Sequence, residues 1–395
     1  MIQLDVTSPN RYFGVHIPRM AITQPVLLSA CLAYASHVLH LHGIVSAHLE
    51  EHLHDRALRL LTPLVTLYRE ASPSARENDV LGAILGTTIL LRMKEQFLEP
   101  GEDRQHHFRA SSTLFETLYD NASPSDDSLS SASLWAYLRG TIRVSVLLGQ
   151  PCPFALEHLK SSGLSSSCGT LTDEARANIM TYLMAEVCTV SWQSRQRDRR
   201  TMQSTSPSTP SYSMSPSAFS PDRIESEIAR IERALDEWES NLPASFQPWY
   251  VHRSEHDVFP EVFYLADWHC VAWQFFYTAR IMLAVLSGPM LRDKTDVLSM
   301  ARFLEDKIAS PARWLCGMTL STNSIGVKIN GSHLLAWSAQ YLTGTMERAK
   351  VLETLSALSD QVKWPSIACI TRLENIWNGS QTNWIAHDQV NLGSL

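Results

Sequence analysis

The sequence predicts an all-α protein, a large multi-helix domain in two helical halves that a disordered Ser/Pro-rich segment joins. Apolar residues recur at helical spacing along the 395 residues, and no convincing stretch alternates as a strand does or carries a tight Asn-Gly hairpin turn. Hydrophobic residues make up 45% of the chain and charged residues 18%, which is enough for a large core. One strong shift in composition, at residues 194–221, divides the chain.

The apolar periodicity places the helices in order along the chain. Before the shift in composition it predicts helices at 24–42, 46–70, 77–99, 105–120, 130–149 and 171–193. After the shift it predicts helices at 222–242, 261–287, 294–322, 331–357 and 361–378. We expect a kink in the second helix at Pro63, because proline removes an internal hydrogen bond.

The segment "SRQRDRRTMQSTSPSTPSYSMSPSAFSP" at 194–221 holds a basic cluster and then a Ser/Thr/Pro tract. Such a tract buries too little apolar surface to order itself. We therefore expect an N-terminal helical half at 1–193, a flexible linker at 194–221 and a C-terminal helical half at 222–395. Asp222 and Glu225 are spaced like a capping box where the chain becomes helical again. The apolar row that follows is shorter than three heptads, which favours packing within the domain over a dimerising coiled coil.

The stretch "LWAYLRGTIRVSVLLGQP" at 134–151 is apolar on nearly every side, which is typical of a helix enclosed by other helices. Arg139 and Arg143 nevertheless lie one turn apart on it. A guanidinium group buried away from water destabilises the fold unless hydrogen-bond acceptors or an opposite charge contact it. We favour contacts with carboxylates or helix C-terminal carbonyls on a neighbouring helix. The alternative is an internal cavity in which the two arginines bind an anionic effector.

Motifs with catalytic or metal chemistry are weak in this sequence. "HRSEH" at 252–256 fits the H-x-x-E-H pattern of inverted zinc peptidases, but prolines punctuate the stretches on either side. In "HVLHLH", we interpret His37, His40 and His42 as polar residues of a helix's last turn, which the helix dipole favours. We therefore predict no enzyme and assign no catalytic, cofactor-binding or metal-ligating residue.

The net charge and the pattern of cysteines limit the partners that the chain can have. A net charge of -7 and a pI near 6.1 argue against wrapping nucleic acid by charge, so we expect no direct nucleic-acid contact. The seven scattered cysteines form no C-x-x-C pair, which indicates reduced thiols inside a cell. The N-terminus lacks the pattern of a signal or transit peptide, and the apolar run at 80–91 is too short to span a membrane. We expect no membrane partner.

Candidate regulatory residues lie in the segment at 194–221 that divides the chain. The candidate nuclear import signal is Arg195, Arg197, Arg199 and Arg200, and a solvated helix end explains the same residues equally well. The candidate phosphorylation sites, each followed by proline, are Ser206, Thr209, Ser215 and Ser220. Phosphates there would place negative charge beside the arginines and could mask them.

Several segments in order resemble the fungal-specific transcription factor domain, the helical regulatory region of zinc binuclear cluster transcription factors. They include "LLSACLAYASHVLHLHG", "LWAYLRGTIRVSVLLGQP", "DEARANIMTYLMAEVCTV", "IERALDEWESNLPASFQPWY" and "FPEVFYLADWHCVAWQFFYTARIML". "CGMTLSTNSIGVKINGSHLLAWSAQYLTGTMERAKVLETL" and "WPSIACITRLENIW" continue the series, so the resemblance covers about residues 13 to 378.

The resemblance implies a regulator that acts in the nucleus on a particular gene set. Members usually carry a six-cysteine zinc cluster that reads DNA, and here the first cysteine, Cys31, already lies in a predicted helix of the domain. We expect no cofactor in this chain, and expect as partners a DNA-binding relative, a second copy of the chain, or the transcription machinery. The alternatives are a cytoplasmic helical sensor or scaffold that binds a small ligand between its halves, and a zinc hydrolase.

Overall fold

A computed structural model describes the fold over most of the chain. It covers residues 2–72, 77–98, 114–115, 127–152, 156, 159, 171–204, 221–254, 257–287 and 297–380. Helices dominate these residues, and a single two-stranded ribbon accompanies them there. The predicted all-α class is confirmed.

The first part of the chain begins with short turns and continues with long helices. A 3₁₀ turn (Ile2–Leu4) and a π turn (Tyr12–His16) come first. The helices are α1 (Ile17–Met20), α2 (Pro25–Leu41), α3 (Ala47–Glu70), α4 (Asn78–Gln96), α5 (Leu129–Leu148) and α6 (Asp173–Ser204). Pro25 occupies the first turn of α2, and the Ser46 hydroxyl caps α3 by accepting from the Leu49 amide at 3.3 Å.

The second part holds the ribbon between two groups of helices. It runs α7 (Pro221–Ser240), a 3₁₀ turn (Ala244–Phe246), β1 (Tyr250–His252), β2 (Glu261–Phe263), α8 (Asp267–Ser287) and α9 (Val297–Leu304). A π turn (Glu305–Ala309), α10 (Ser310–Ser321), α11 (Ile325–Ala339), α12 (Thr345–Val362) and α13 (Ile367–Trp377) follow. The strands are antiparallel, with Val251 opposite Val262.

One hydrophobic core runs through both parts of the chain. Helix α6 packs along α8, and α5 packs against α4, α6 and α11. Leu138 and Ile142 of α5 are fully buried in this core together with Leu334 and Leu335 of α11. Helix α8 is long and apolar enough to cross a membrane, but 67% of its apolar window is buried in the fold, as in the core helix of a folded protein.

The helix before the predicted linker is longer than expected. Helix α6 continues through residues 194–204, where Ser194 is buried and Arg195 donates to the Gly149 carbonyl at 3.1 Å. Arginine and glutamine are good helix formers, so the basic cluster extends the helix instead of ending it. Residues 205–220 lie outside the described part of the chain.

Other boundaries also differ from the predictions. The predicted helix at 331–357 is two helices, because the Glu347 carboxylate accepts from the Gly344 amide at 3.0 Å and starts α12 afresh. Residues 261–263 form β2, and the predicted helix at 294–322 contains the π turn that precedes α10. The turns of residues 2–20 were not predicted. The predicted helix at 105–120 lies outside the described residues except at 114–115.

Candidate functional site

A small cavity lined by polar and apolar side chains lies where α4, α5 and α11 meet beneath the N-terminal 3₁₀ turn. Its volume is about 50 Å³. Three arginines line it, Arg92 from α4 and Arg139 and Arg143 from α5, together with His333 from α11 and the indole of Trp364. Among the described residues that line this cavity, none is acidic. We call these five residues the arginine cavity.

The local sequence of α5 places two of the arginines side by side. The Ser128 hydroxyl caps the helix by accepting from the Ser131 amide at 3.2 Å, and Gly149 ends it in the left-handed conformation with φ of 63°. Between the arginines, a Cβ at Gly140 would lie 2.5 Å from the Gln96 side-chain nitrogen, so a larger residue there would displace the end of that side chain.

Arg139 holds the N-terminal segment against α5. It is 7% exposed, and its guanidinium donates to the Thr7 hydroxyl at 2.6 Å and to the Leu4 carbonyl at 2.7 Å. Burial lowers the pKa of Arg139 to about 10, and the nearby charge of Asp5 opposes that shift. The Asp5 carboxylate in turn accepts from the Phe13 amide at 2.9 Å. Arg139 therefore contacts a carbonyl at the end of a helical turn, as in the packing interpretation, while it also faces the cavity.

Arg143 lies deeper in the fold. It is 4% exposed, and its Cζ lies 4.9 Å from the centre of the Trp364 ring in a cation–π contact. Arg92, also buried, forms an ion pair with Glu95 one turn further along α4. The structure thus brings Arg139 and Arg143 to one cavity and adds Arg92, which the sequence analysis did not single out.

His333 is a second cavity residue, after Arg92, that the sequence did not single out. It is 3% exposed, and neither ring nitrogen has a hydrogen-bond partner among the described residues. Burial, and then the charge of Arg143, hold the pKa of His333 well below 6.5, so the ring is neutral at pH 7. In the sequence it is one histidine within the apolar stretch "SHLLAW", and nothing nearby in the chain marks it as exceptional.

A second buried histidine pairs with a carboxylate through its Nδ1, while its Nε2 has no hydrogen-bond partner among the described residues. His37 of α2 is 4% exposed, and its Nδ1 lies 3.0 Å from the Glu50 Oε1 of α3. The Lys94 Nζ of α4 lies 2.6 Å from the same oxygen, and His40 Nε2 lies 3.9 Å from Glu50 Oε2. The last-turn interpretation is therefore wrong for His37, because a carboxylate from another helix pairs with it. His42 is the C-cap of α2.

The remaining predicted site residues lie apart from the arginine cavity. Arg195, Arg197 and Arg199 lie on α6, where Arg197 pairs with Asp198 at 2.9 Å. The side chain of Arg200 is outside the described part of the chain, as are Ser206, Thr209, Ser215 and Ser220.

The candidate zinc motif is only partly described. His252 lies in β1, 3.8 Å from Asp257, and residues 255–256 are outside the described ranges. Within those ranges no group of three or more potential ligand side chains is placed to hold a metal ion.

Comparison with known proteins identifies the family. No curated protein and no solved structure matches this chain. The model of the fungal specific transcription factor domain matches residues 5–284. The match includes the three arginines of the cavity and ends within α8, before His333 and Trp364. The matched family is one of transcription factors and not of enzymes. This chain belongs to the family of fungal specific transcription factor domains.

Proposed function

We propose that this chain regulates transcription of a specific gene set in the nucleus, and that it reaches DNA through a second protein or through a DNA-binding segment joined to it. The observation that carries the proposal is the family match over residues 5–284. The net charge of -7 supports indirect DNA contact, because phosphate backbones recruit strongly basic surfaces. The partner is then a DNA-binding relative or a second copy of the chain, and the transcription machinery is the recipient of the signal.

Chromatin immunoprecipitation in the native cells tests this function. We expect enrichment at a limited set of promoters, and changed transcripts of the same genes when the chain is deleted. Purified chain should not shift the enriched promoter fragments in a gel by itself, whereas nuclear extract should restore the shift. A chain that stays in the cytoplasm and enriches no promoter would support the sensor or scaffold alternative instead.

Nuclear import through the basic end of α6 is part of the proposal. Arg195 packs on the Gly149 carbonyl, so the variant that tests import leaves it in place and carries Arg197→Gln, Arg199→Gln and Arg200→Gln. A fluorescent fusion of this variant should move from the nucleus to the cytoplasm. Arg56→Gln with Arg59→Gln, two exposed arginines of α3, is the matched control and should stay nuclear.

Phosphorylation of the adjoining Ser/Pro tract is the proposed control of import. Alanine at Ser206, Thr209, Ser215 and Ser220 together removes every candidate hydroxyl while leaving the arginines in place. We expect a larger nuclear fraction in this variant, since phosphate can no longer mask the arginines. Unchanged location and unchanged target transcripts would remove the phosphorylation hypothesis without touching the proposed role in transcription.

A further inference from the structure

We propose that the arginine cavity binds a small oxyanion, a phosphate-like or carboxylate group, between Arg92, Arg143 and His333. The proposal concerns binding by the purified chain and stands independently of the role in transcription. It rests on the charge of the lining, on the unsatisfied imidazole and on the size of the space.

The charge of the lining favours an anion. Three arginines line the space and its described lining contributes no carboxylate, while outside the lining Glu95 pairs with Arg92 and Asp5 lies near Arg139. Like charges brought together in a desolvated site repel far more strongly than in water. A bound anion would reduce that repulsion, and guanidinium groups are the side chains best shaped to hold phosphate or carboxylate oxygens.

The imidazole of His333 also favours a ligand. A neutral imidazole offers one donor and one acceptor, and a buried donor or acceptor without a partner destabilises the folded chain. Both ring nitrogens of His333 are in that position among the described residues. An oxyanion in the cavity would accept from the ring N–H. The acceptor nitrogen would then face a water or a hydroxyl of the ligand.

The size of the cavity suits a small ligand. A space of about 50 Å³ accommodates an ion or an anionic end group, whereas pockets for drug-sized ligands measure roughly 300–1,000 Å³. The side chains of Gln3, Gln96 and Asn330 lie around the same cavity. The amide nitrogens of Gln3 and Asn330 already donate to Tyr34 and Gln274, and each carries a second N–H that an oxyanion could accept from. The chemistry therefore fits a compact polar anion and excludes a large apolar effector from this space.

Calorimetry and thermal unfolding with three probe anions test the proposal. Purified chain is compared in chloride, inorganic phosphate, sulfate and malonate at constant ionic strength. We expect one saturable site and a Tm increase of about 2 °C or more beyond chloride. A stronger response to phosphate and sulfate would identify a tetrahedral oxyanion, and a stronger response to malonate would identify a carboxylate.

Matched variants show whether the binding belongs to the cavity. Arg143→Gln and His333→Phe should each weaken binding by about tenfold or more. Arg348→Gln is the control, because Arg348 also stacks on a tryptophan, with its Cζ 5.2 Å from the centre of the Trp377 ring, but lies outside the cavity. Sulfate and phosphate stabilise folded proteins generally, so the informative quantity is the difference between the variants and this control.

Two results would overturn the proposal. One is wild-type chain that shows no saturable binding of any of the three anions. The other is binding that Arg143→Gln, His333→Phe and Arg348→Gln leave equally strong, since the site would then lie elsewhere. Should the cavity variants fail to fold, crystals of the wild-type chain soaked in selenate give the answer: anomalous density between Arg143 and His333 supports the proposal, and density on the outer surface alone rejects it.

Discussion

Two buried histidines, His37 and His333, lie beside cations, and they differ in whether a carboxylate contacts the ring. His37 has Glu50 at 3.0 Å, and the same carboxylate also pairs with Lys94. His333 has the charge of Arg143 beside it and no partner for either ring nitrogen among the described residues. The carboxylate that His37 shares with Lys94 makes His37 part of the packing of three helices, with its Nε2 alone left without a partner among the described residues. His333 carries unused hydrogen-bonding capacity in a cavity, which is what a binding site has before its ligand arrives.

The largest effect is expected where the carboxylate of the paired group is removed. Glu50→Gln leaves His37 and Lys94 without the charge that they share, so we expect a loss of about 3 kcal/mol in the free energy of unfolding. Urea denaturation measures it. Glu51→Gln, the exposed neighbour, is the control and should change stability by less than about 0.5 kcal/mol. Equal effects of the two substitutions would mean that Glu50 does not hold α2, α3 and α4 together.

A smaller effect is expected at the arginine of the cavity that already has partners. Arg139→Leu removes the hydrogen bonds to Thr7 and Leu4 and leaves Asp5 without its nearby charge, so we expect a loss of about 2 kcal/mol. Hydrogen exchange should show the loss at the N-terminal turns, where amide protection falls. A stable variant with unchanged protection there would instead assign Arg139 to ligand binding alone.

The helices could be predicted where local signals agree. The predictions of 24–42 and 130–149 fall within one residue of Pro25–Leu41 and Leu129–Leu148, because apolar periodicity is bounded there by a first-turn proline and by a glycine cap. The prediction of 331–357 missed the break before α12, although Gly344 followed three residues later by Glu347 was a visible start signal. The apolar spacing continues across the break, and the prediction followed this spacing instead of the start signal at Gly344.

The cavity could be predicted only in part. Two arginines on an apolar helix indicate a candidate site. Because both lie on the same helix, the sequence alone is enough to identify them. Arg92 and His333 come from helices far away in the sequence, so only the packing of α4 and α11 on α5 shows that they belong together. The same reason hid the pairing of His37 with Glu50, because the sequence does not show that α3 folds back along α2.

Replacing each histidine by phenylalanine should destabilise the chain at His37 but not at His333. His37→Phe breaks the contact with Glu50, and we expect a loss of about 2 kcal/mol. His333→Phe removes two unsatisfied polar atoms, so in chloride we expect unchanged stability or a gain of about 1 kcal/mol. Urea denaturation of both variants in one buffer gives the comparison. A loss of stability in His333→Phe as large as the loss in His37→Phe would contradict this expectation. It would show that the His333 ring has partners and that the two sites do not differ in this way.

The smallest expected difference between His37 and His333 is in how the stability of the chain depends on pH. Burial holds the pKa of both histidines below 6.5 in the folded chain, more strongly for His333, because Glu50 opposes the shift at His37. Below pH 6.5 the unfolded chain therefore binds protons that the folded chain does not, so the free energy of unfolding falls as pH falls. Each histidine contributes at most about 1.4 kcal/mol per pH unit to that slope.

His333→Phe should therefore flatten the decline in stability between pH 6.5 and 5 more than His37→Phe does. Urea denaturation at several pH values in chloride measures both slopes against wild type. In wild-type chain, sulfate should reduce the contribution of His333, because an anion between Arg143 and the ring favours the protonated imidazole and so raises its pKa. Sulfate should leave the contribution of His37 unchanged, since the Glu50 carboxylate already contacts the His37 ring. An identical response of both histidines to sulfate would remove the distinction between a packed group and a binding site.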